Sequence, residues 1–474
     1  MNLLNNRLTI VSFIGRLSSR IAIVIIFGIF LSSCNKLVSI PPPTNSLTLQ
    51  TVFNSDTTAF GAVEAIYSDM SSQGPQYANS LLTFFCGLSA DELSNGFPGD
   101  HFFSNKLNSN DLGEKPFWSP PYFDIYMANG VLQGLSASNS ISRPARNEIA
   151  GEAKFFRAFC YFYLTNLYGD IPLVLTTDFN ETSILPRVPQ SAVYQQIISD
   201  LIDAQNLLGG DYSYSNGERI RANRWAALAL LARTYLYTQK WESADSVATL
   251  IINQTSMFSL DSLNGVFLKN SNEAILQLQT PNRPPYATRE GNILVPCDGC
   301  TPNYYLVDGL VNAFEASDDR RNKWVDSINI GGTFYYFPYK YKVGISTDGN
   351  VTEYYTLFRL AEQYLIRAEA ETEEAKLQQA VSDLNVVRNR ALLSGYSGVE
   401  QKDSILNAIA HENQIEFFSE MGHRWFDLKR TGFAHKVLSS ILYKEPWLGD
   451  YQLYYPLPLV ELQADPELKQ NPGY

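Results

Sequence analysis

Few residues in this chain are spaced for catalysis. His411-Glu412 opens like the zinc-binding HExxH run, in which two His one helical turn apart share a metal and the Glu activates water. Ile415 stands where the second His belongs, so no metal-binding face forms. Cys297-Asp-Gly-Cys300 has half the spacing of a zinc ribbon, but no second pair follows and the chain holds only 4 His. A tight-loop disulfide or two thiols are the readings left. Ser394-Gly-Tyr-Ser-Gly398 is not the G-x-S-x-G elbow, and no phosphate-binding or dinucleotide glycine run occurs. Glycoside hydrolysis needs two carboxylates at a set separation. Among 48 Asp and Glu, nothing marks one pair above another. The expectation is a protein that is not an enzyme and carries no metal or cofactor.

Binding has a better footing. A sugar ring offers a C–H face that stacks on Tyr, Trp or Phe, and a rim of hydroxyls that pairs with Asn, Asp, Arg or Lys. The chain has 28 Tyr, 27 Phe and 6 Trp. Two blocks without sustained periodicity, 71–115 and 280–355, mix these rings with polar residues, and long loops of this kind commonly carry function. From them come the candidate contacts Tyr77, Phe97, Phe102, Phe103, Tyr286, Trp324, Tyr335 and Tyr336. Covering about 100 Å² of ring face at about 25 cal/mol/Å² stabilises each platform by about 2.5 kcal/mol before association costs. Two or three platforms predict affinities from about millimolar to tens of micromolar.

The elements that must hold such loops are helical. Asp56 to Met70, Phe117 to Leu135 and Asn147 to Tyr168 carry apolar residues at helical spacing, the last nearly all round and therefore buried. Cys160 and Trp118, Trp225, Trp241 and Trp425 read as core. Arg221 to Asn253 reads as a helix–turn–helix pair whose Leu231, Ala232, Tyr235, Trp241, Ala244 and Ile251 fit a tetratricopeptide large–small–large pattern. Leu357 to Arg390 reads as a second, looser pair, and such pairs stack to bury what one alone cannot. From His411 to Phe418 a further helix is expected, with Gly422 as its C′ stop. A short turn should then carry Trp425, Phe426 and Leu428 inward, before a Pro-punctuated tail. No interior linker divides the chain.

The N-terminus addresses the protein outward. Arg7, Arg16 and Arg20 precede a ten-residue apolar run, Ile21 to Phe30, too short for a bilayer that needs about 20 residues. Leu31-Ser-Ser-Cys34 resembles a bacterial lipobox, which makes residues 1–33 a signal peptide and Cys34 a lipidated first residue. Acyl chains contribute about 0.8 kcal/mol per buried methylene, so two or three anchor durably. Residues 34–50 read as a Pro-rich tether and 51–474 as one domain. The leader carries three Arg and no acid, so its removal takes the net charge from −12 to −15. That disfavours nucleic acid and anionic membrane surfaces as partners.

Three runs together resemble the SusD/RagB family of nutrient-binding outer-membrane lipoproteins. They are Glu152-Ala-Lys to Ile171-Pro172-Leu173, Gly422-His-Arg-Trp-Phe-Asp-Leu428 and Lys469-Gln-Asn-Pro-Gly-Tyr474. Leu306 to Phe314 with Asp319-Arg320 is a looser match, Asp318-Asp319-Arg320 replacing Asp-Gly-Arg. The resemblance implies a mainly α, tetratricopeptide-like scaffold of helical pairs with long aromatic-rich insertions and few short strands. It implies a lipoprotein of the outer membrane facing the cell exterior, although Asn35-Lys36-Leu37 lacks the acidic residues frequent after the Cys of surface-exported lipoproteins. It also implies capture of an oligo- or polysaccharide and delivery to a SusC-like TonB-dependent transporter. A peptide-binding RagB-like role and a tetratricopeptide adaptor without small ligand are the alternatives.

Overall fold

Helices dominate because the chain supplies long runs with apolar residues three and four apart. The computed structural model describes residues 49–474, apart from 73 and 112–116. The expected leader, Cys34 and the tether up to residue 48 lie outside the described residues. The first amphipathic helix, α1, is Asp56–Met70, capped by Ser55, whose Oγ accepts from the Thr58 amide at 3.4 Å. After it, the stretch expected as loop is in part buried helix: a π-helical turn Tyr77–Leu81 runs into α2, Leu82–Ser89, and every residue of both is buried.

The main scaffold is a serial stack. Helices α3 (Ser119–Ala137), α4 (Arg143–Tyr168), α5 (Gln190–Leu207), α6 (Arg224–Tyr237) and α7 (Trp241–Ile252) each pack on the next. Helix α7 then packs on α8 (Leu360–Glu373), and α8 on α9 (Leu377–Arg390), so the two expected pairs stack directly although a long insertion separates them. Small residues permit the approach: Ala232, Ala244, Ala248 and Ala370 form one cluster with Leu236 and Ile366. Trp118 and Trp425 are core; Trp225 and Trp241 are half-buried against it. Within the stack Arg157 reaches Asp200 at 2.6 Å, and Arg221 reaches Glu152 at 2.7 Å, so the buried Arg157 and Glu152 of α4 are both paired.

Strands organise the insertions. β1 is Leu93–Ser94, β2 Ala274–Leu278, β3 Tyr305–Leu306, β4 Val325–Ile330, β5 Thr333–Pro338 and β6 Tyr355–Arg359. β2 pairs antiparallel with β6, Leu278 opposite Tyr355, which brings both ends of the 280–355 insertion together at the scaffold. β4 and β5 form a hairpin closed by Gly331 and Gly332, whose φ of +59° and +93° suit the turn that matches strand twist. β1 pairs with β3, Ser94 opposite Tyr305. That pairing joins the two aromatic blocks.

The C-terminal helices differ from expectation in one joint. α10 (Lys402–Glu416) ends at Phe417, and Ser419 and Met421 turn the chain at φ +52° and +47°. Gly422, at φ +72°, is therefore the residue before α11 (His423–Arg430), not the stop of α10. A Cβ there would lie 2.7 Å from Cβ of Cys86 on α2. Residues 52–474 form one compact unit.

Candidate ligand-binding site

Between β1, β3, the β5 end of the hairpin and the C-terminal segment opens a cleft of about 790 Å³, within the usual size of ligand pockets. Its rings are Phe103, Tyr305, Phe334, Tyr335, Tyr336 and Tyr443; its polar groups include Asp91, Ser94, Asp308, Thr333, Gln414 and Ser440. Tyr335 meets Tyr305 edge to face, with centroids 5.1 Å apart. Phe103 and Tyr443 stack at 4.1 Å and 10°. Phe334, on the hairpin tip, is 59% exposed.

The walls are held from behind. Lys444, next to Tyr443, is buried and donates from Nζ to the carbonyls of Leu88, Ser89 and Phe103 at 2.9, 3.0 and 2.9 Å, and to Asn105 Oδ1 at 2.5 Å. Burial pushes its pKa down to about 7. One ammonium thus ties the backbone under Phe103 to the segment carrying Tyr443. Asp91 is fixed by Arg424 of α11 at 2.7 and 2.8 Å. Glu92 accepts from the Ser419 amide at 3.3 Å, and burial raises its carboxyl to about 8.

Behind the cleft lies a buried lattice of charge on the stretch that suggested the family. Glu412 and Glu416, one turn apart on α10, meet Arg320 at 2.5 and 2.8 Å. Arg359, the last residue of β6, contacts Glu273 at 2.9 Å, Glu416 at 2.5 Å and Glu420 at 2.9 Å. Arg390 pairs with Glu273 at 2.9 Å and also with Glu416; Lys340 pairs with Glu420. Burial works to raise the Glu416 carboxyl, but Arg390, Arg359 and Arg320 hold it well below the usual carboxylate range. His423 stacks on Phe417 at 4.7 Å, and burial lowers its pKa well below the usual His value. These residues build the frame and do not face the cleft.

The eight candidate rings separate accordingly. Phe103, Tyr335 and Tyr336 line the cleft. Trp324 is fully buried, its Nε1 donating to the Leu263 carbonyl at 2.8 Å, so it offers no ring face to a ligand. Tyr77 is core, its hydroxyl donating to Asp124 at 2.7 Å, and Phe102 packs between Phe85 and Tyr455. Burial corrects these three: apolar segments inside the loop blocks fold inward. Phe97 is 64% exposed and Tyr286 half-buried, and neither lines the cleft. Tyr305, Phe334, Tyr443, Asp91 and Asp308 were not singled out by sequence. Gly331-Gly332 between alternating residues was the available signal for Phe334; nothing local marks Tyr443. Cys297 and Cys300 are disulfide-bonded, and Cys160 is buried. Among the described residues no group of His, Cys, Asp and Glu is placed to hold a metal.

Comparison with known proteins bears on this geometry. Residues 66–236 match the profile of a SusD-like family described as starch-binding associating with outer membrane, and residues 320–474 match that of the SusD family. The chain belongs to the SusD/RagB family. SusD-like protein P25 of Formosa agariphila is 28% identical over 427 residues, which span 75% of this chain and 79% of that protein. SusD-like protein P2 of the same organism is 26% identical over 91% of this chain and 95% of its own length. Solved SusD-superfamily structures share the fold: one from Bacteroides vulgatus has a TM-score of 0.76 at 20% identity, covering 88% of this chain and 99% of its own. A laminarin-binding SusD-like protein has a TM-score of 0.73 at 24% identity, covering 88% and 99%, and surface glycan-binding protein A of Bacteroides uniformis has 0.74 at 21%, covering 88% and 99%. As in a SusD scaffold, helical pairs here carry long insertions, and no described helix is long and apolar enough to cross a membrane.

Proposed function

We propose that this SusD-family protein captures an oligosaccharide in the cleft between β3, the β4–β5 hairpin and Tyr443, without chemistry. The observation that carries the reading is the cleft itself: six rings around about 790 Å³, rimmed by hydroxyls, amides and carboxylates, which is the chemistry a sugar's two kinds of surface require. Tyr305, Phe334, Tyr335 and Tyr443 act as stacking surfaces, with Phe103 and Tyr336 behind. The laminarin-binding and glycan-binding neighbours favour a glycan over a peptide.

In this reading Cys34 is lipidated after removal of residues 1–33, residues 34–50 tether a single domain over 51–474, and the protein stands on the outer membrane facing outward. Bound glycan passes to a SusC-like TonB-dependent transporter, which the protein covers as a lid. Titration calorimetry of the purified chain against oligosaccharide and peptide panels tests the capture step. Saturable glycan binding at about millimolar to tens of micromolar Kd, weakened in Tyr335→Ala, is the expected result. Binding of peptides alone, or glycan binding indifferent to Tyr335→Ala, Tyr305→Ala and Phe334→Ala, would overturn it. Co-purification with an outer-membrane transporter after mild detergent extraction, lost in Cys34→Ala cells that secrete the protein, tests anchoring and partnership.

A further inference from the structure

The charge on the cleft wall bears on which glycan can enter. Among the described residues that line it, Asp91 and Asp308 are ionisable acids and none is Lys, Arg or His. Asp91 is already committed, both its oxygens accepting from Arg424. Asp308 is exposed at the start of the short turn Asp308–Val311, and its carboxylate has no partner among the described residues. Four cations stand beside lining residues without lining the cleft themselves. Arg424 is held by Asp91, Lys444 sits among four oxygens, Arg321 lies over the Tyr336 ring at 4.7 Å, and Lys436, exposed beside Val437, lies 5.8 Å from the Phe433 ring centroid.

A sulfate or uronate group brings a full charge whose hydration must be replaced on entry, and charge-assisted donors are what replace it. Among the described residues that line the cleft there is no cation to supply them. An uncharged sugar brings hydroxyl donors instead, and an ionised carboxylate accepts hydrogen bonds and donates none. We infer that the cleft selects uncharged oligosaccharides over sulfated and uronic-acid ones, with Asp308 accepting hydrogen bonds from ligand hydroxyls. The inference rests on the reading of the cleft as the glycan site. Protonated amino sugars gain little, because attraction to an exposed carboxylate is screened.

The test is calorimetry of the full chain in detergent, at low and physiological salt. Ligands are neutral glucan, xylan and mannan oligosaccharides, with sulfated, uronate and glucosamine oligosaccharides of matched length. Neutral ligand should bind, and Asp308→Asn should weaken it about tenfold, the effect of losing a hydrogen bond to a charged acceptor. Anionic ligands should bind at least about tenfold more weakly than neutral ones, and Asp308→Lys should narrow that gap. Anionic or glucosamine ligands binding more tightly than neutral ones, with the binding lost in Tyr335→Ala, would overturn the inference and leave the site standing. Neutral binding unchanged in Asp308→Asn would remove Asp308 from the site. Binding of every class unchanged in Tyr335→Ala and Tyr305→Ala, or no saturable binding at all, would remove the cleft reading together with the inference.

Discussion

An aromatic ring in a loop can floor a sugar site or fill the protein interior, and burial separates the two at Trp324 and Tyr335. Trp324 is enclosed and hydrogen-bonded to Leu263, with Lys340 4.7 Å from its ring centroid. Trp324→Ala should therefore cost about 3–5 kcal/mol of stability, read as a lowered urea midpoint. Tyr335→Ala should leave that midpoint within about 1 kcal/mol and weaken glycan binding; the reverse pattern would reject the assignment. Asp124 makes a second test at this scale. Burial raises its carboxyl to about 8, while Tyr77 donates to Oδ2 and Oδ1 has no partner. In the folded state it keeps a proton that the unfolded chain has lost above about pH 4, so its contribution is full below that pH and is lost as pH rises towards 8. Asp124→Asn cannot titrate. The variant's melting temperature relative to the parent should climb from pH 5 to pH 8, and a flat difference would mean that Asp124 titrates normally.

At the scale of elements, the joint between α10 and α11 is set by backbone conformation and by contact together. Gly422 and Gly432 share a positive φ, +72° and +75°, but only at Gly422 would a Cβ strike a neighbour, Cys86 at 2.7 Å. Each change to Ala should cost about 1–2 kcal/mol for the left-handed backbone alone. Gly422→Ala should cost measurably more than Gly432→Ala in urea unfolding, and equal costs would show that α2 yields. The sequence marked this glycine as conformational but assigned it to the wrong helix, because the extra turn at Ser419 and Met421 uses residues without a turn signature. Helices with one polar face were legible almost to the residue, α1 over Asp56–Met70 being the plainest. The π-turn and α2 were not. A run that is apolar on all sides, flanked by Gly, Ser and Asn, shows no period to read. Tyr443 and Asp308 were invisible for a different reason: the β1–β3 pairing and the Lys444 contacts that gather them join residues hundreds apart or unmarked in type.

Across the whole molecule, Arg359 is where three parts meet. It ends β6, which closes the aromatic insertion onto the scaffold, precedes the stacked pair α8–α9, and reaches Glu416 and Glu420 at the end of the α10 signature stretch. The family signature was legible in sequence because this lattice demands particular charged residues at particular places, whereas the cleft demands only rings and hydroxyls that many loops could supply. Breaking a buried ion lattice by removing one member leaves the others uncompensated. Arg359→Met should therefore cost about 3–5 kcal/mol, more than the loss of packing alone. Its pH dependence distinguishes the cause. Arg359 is one of three guanidinium groups that hold the Glu416 carboxyl well below the usual carboxylate range, so its removal should lessen that depression. A depressed carboxyl contributes stability that is present above the unfolded value of about 4.3 and is lost as pH falls through the folded value. The stability gap between variant and parent should thus hold steady from pH 8 to about pH 5 and shrink as pH falls below about 4. A gap that stays constant below about pH 4 would mean that Arg390 and Arg320 hold Glu416 without Arg359.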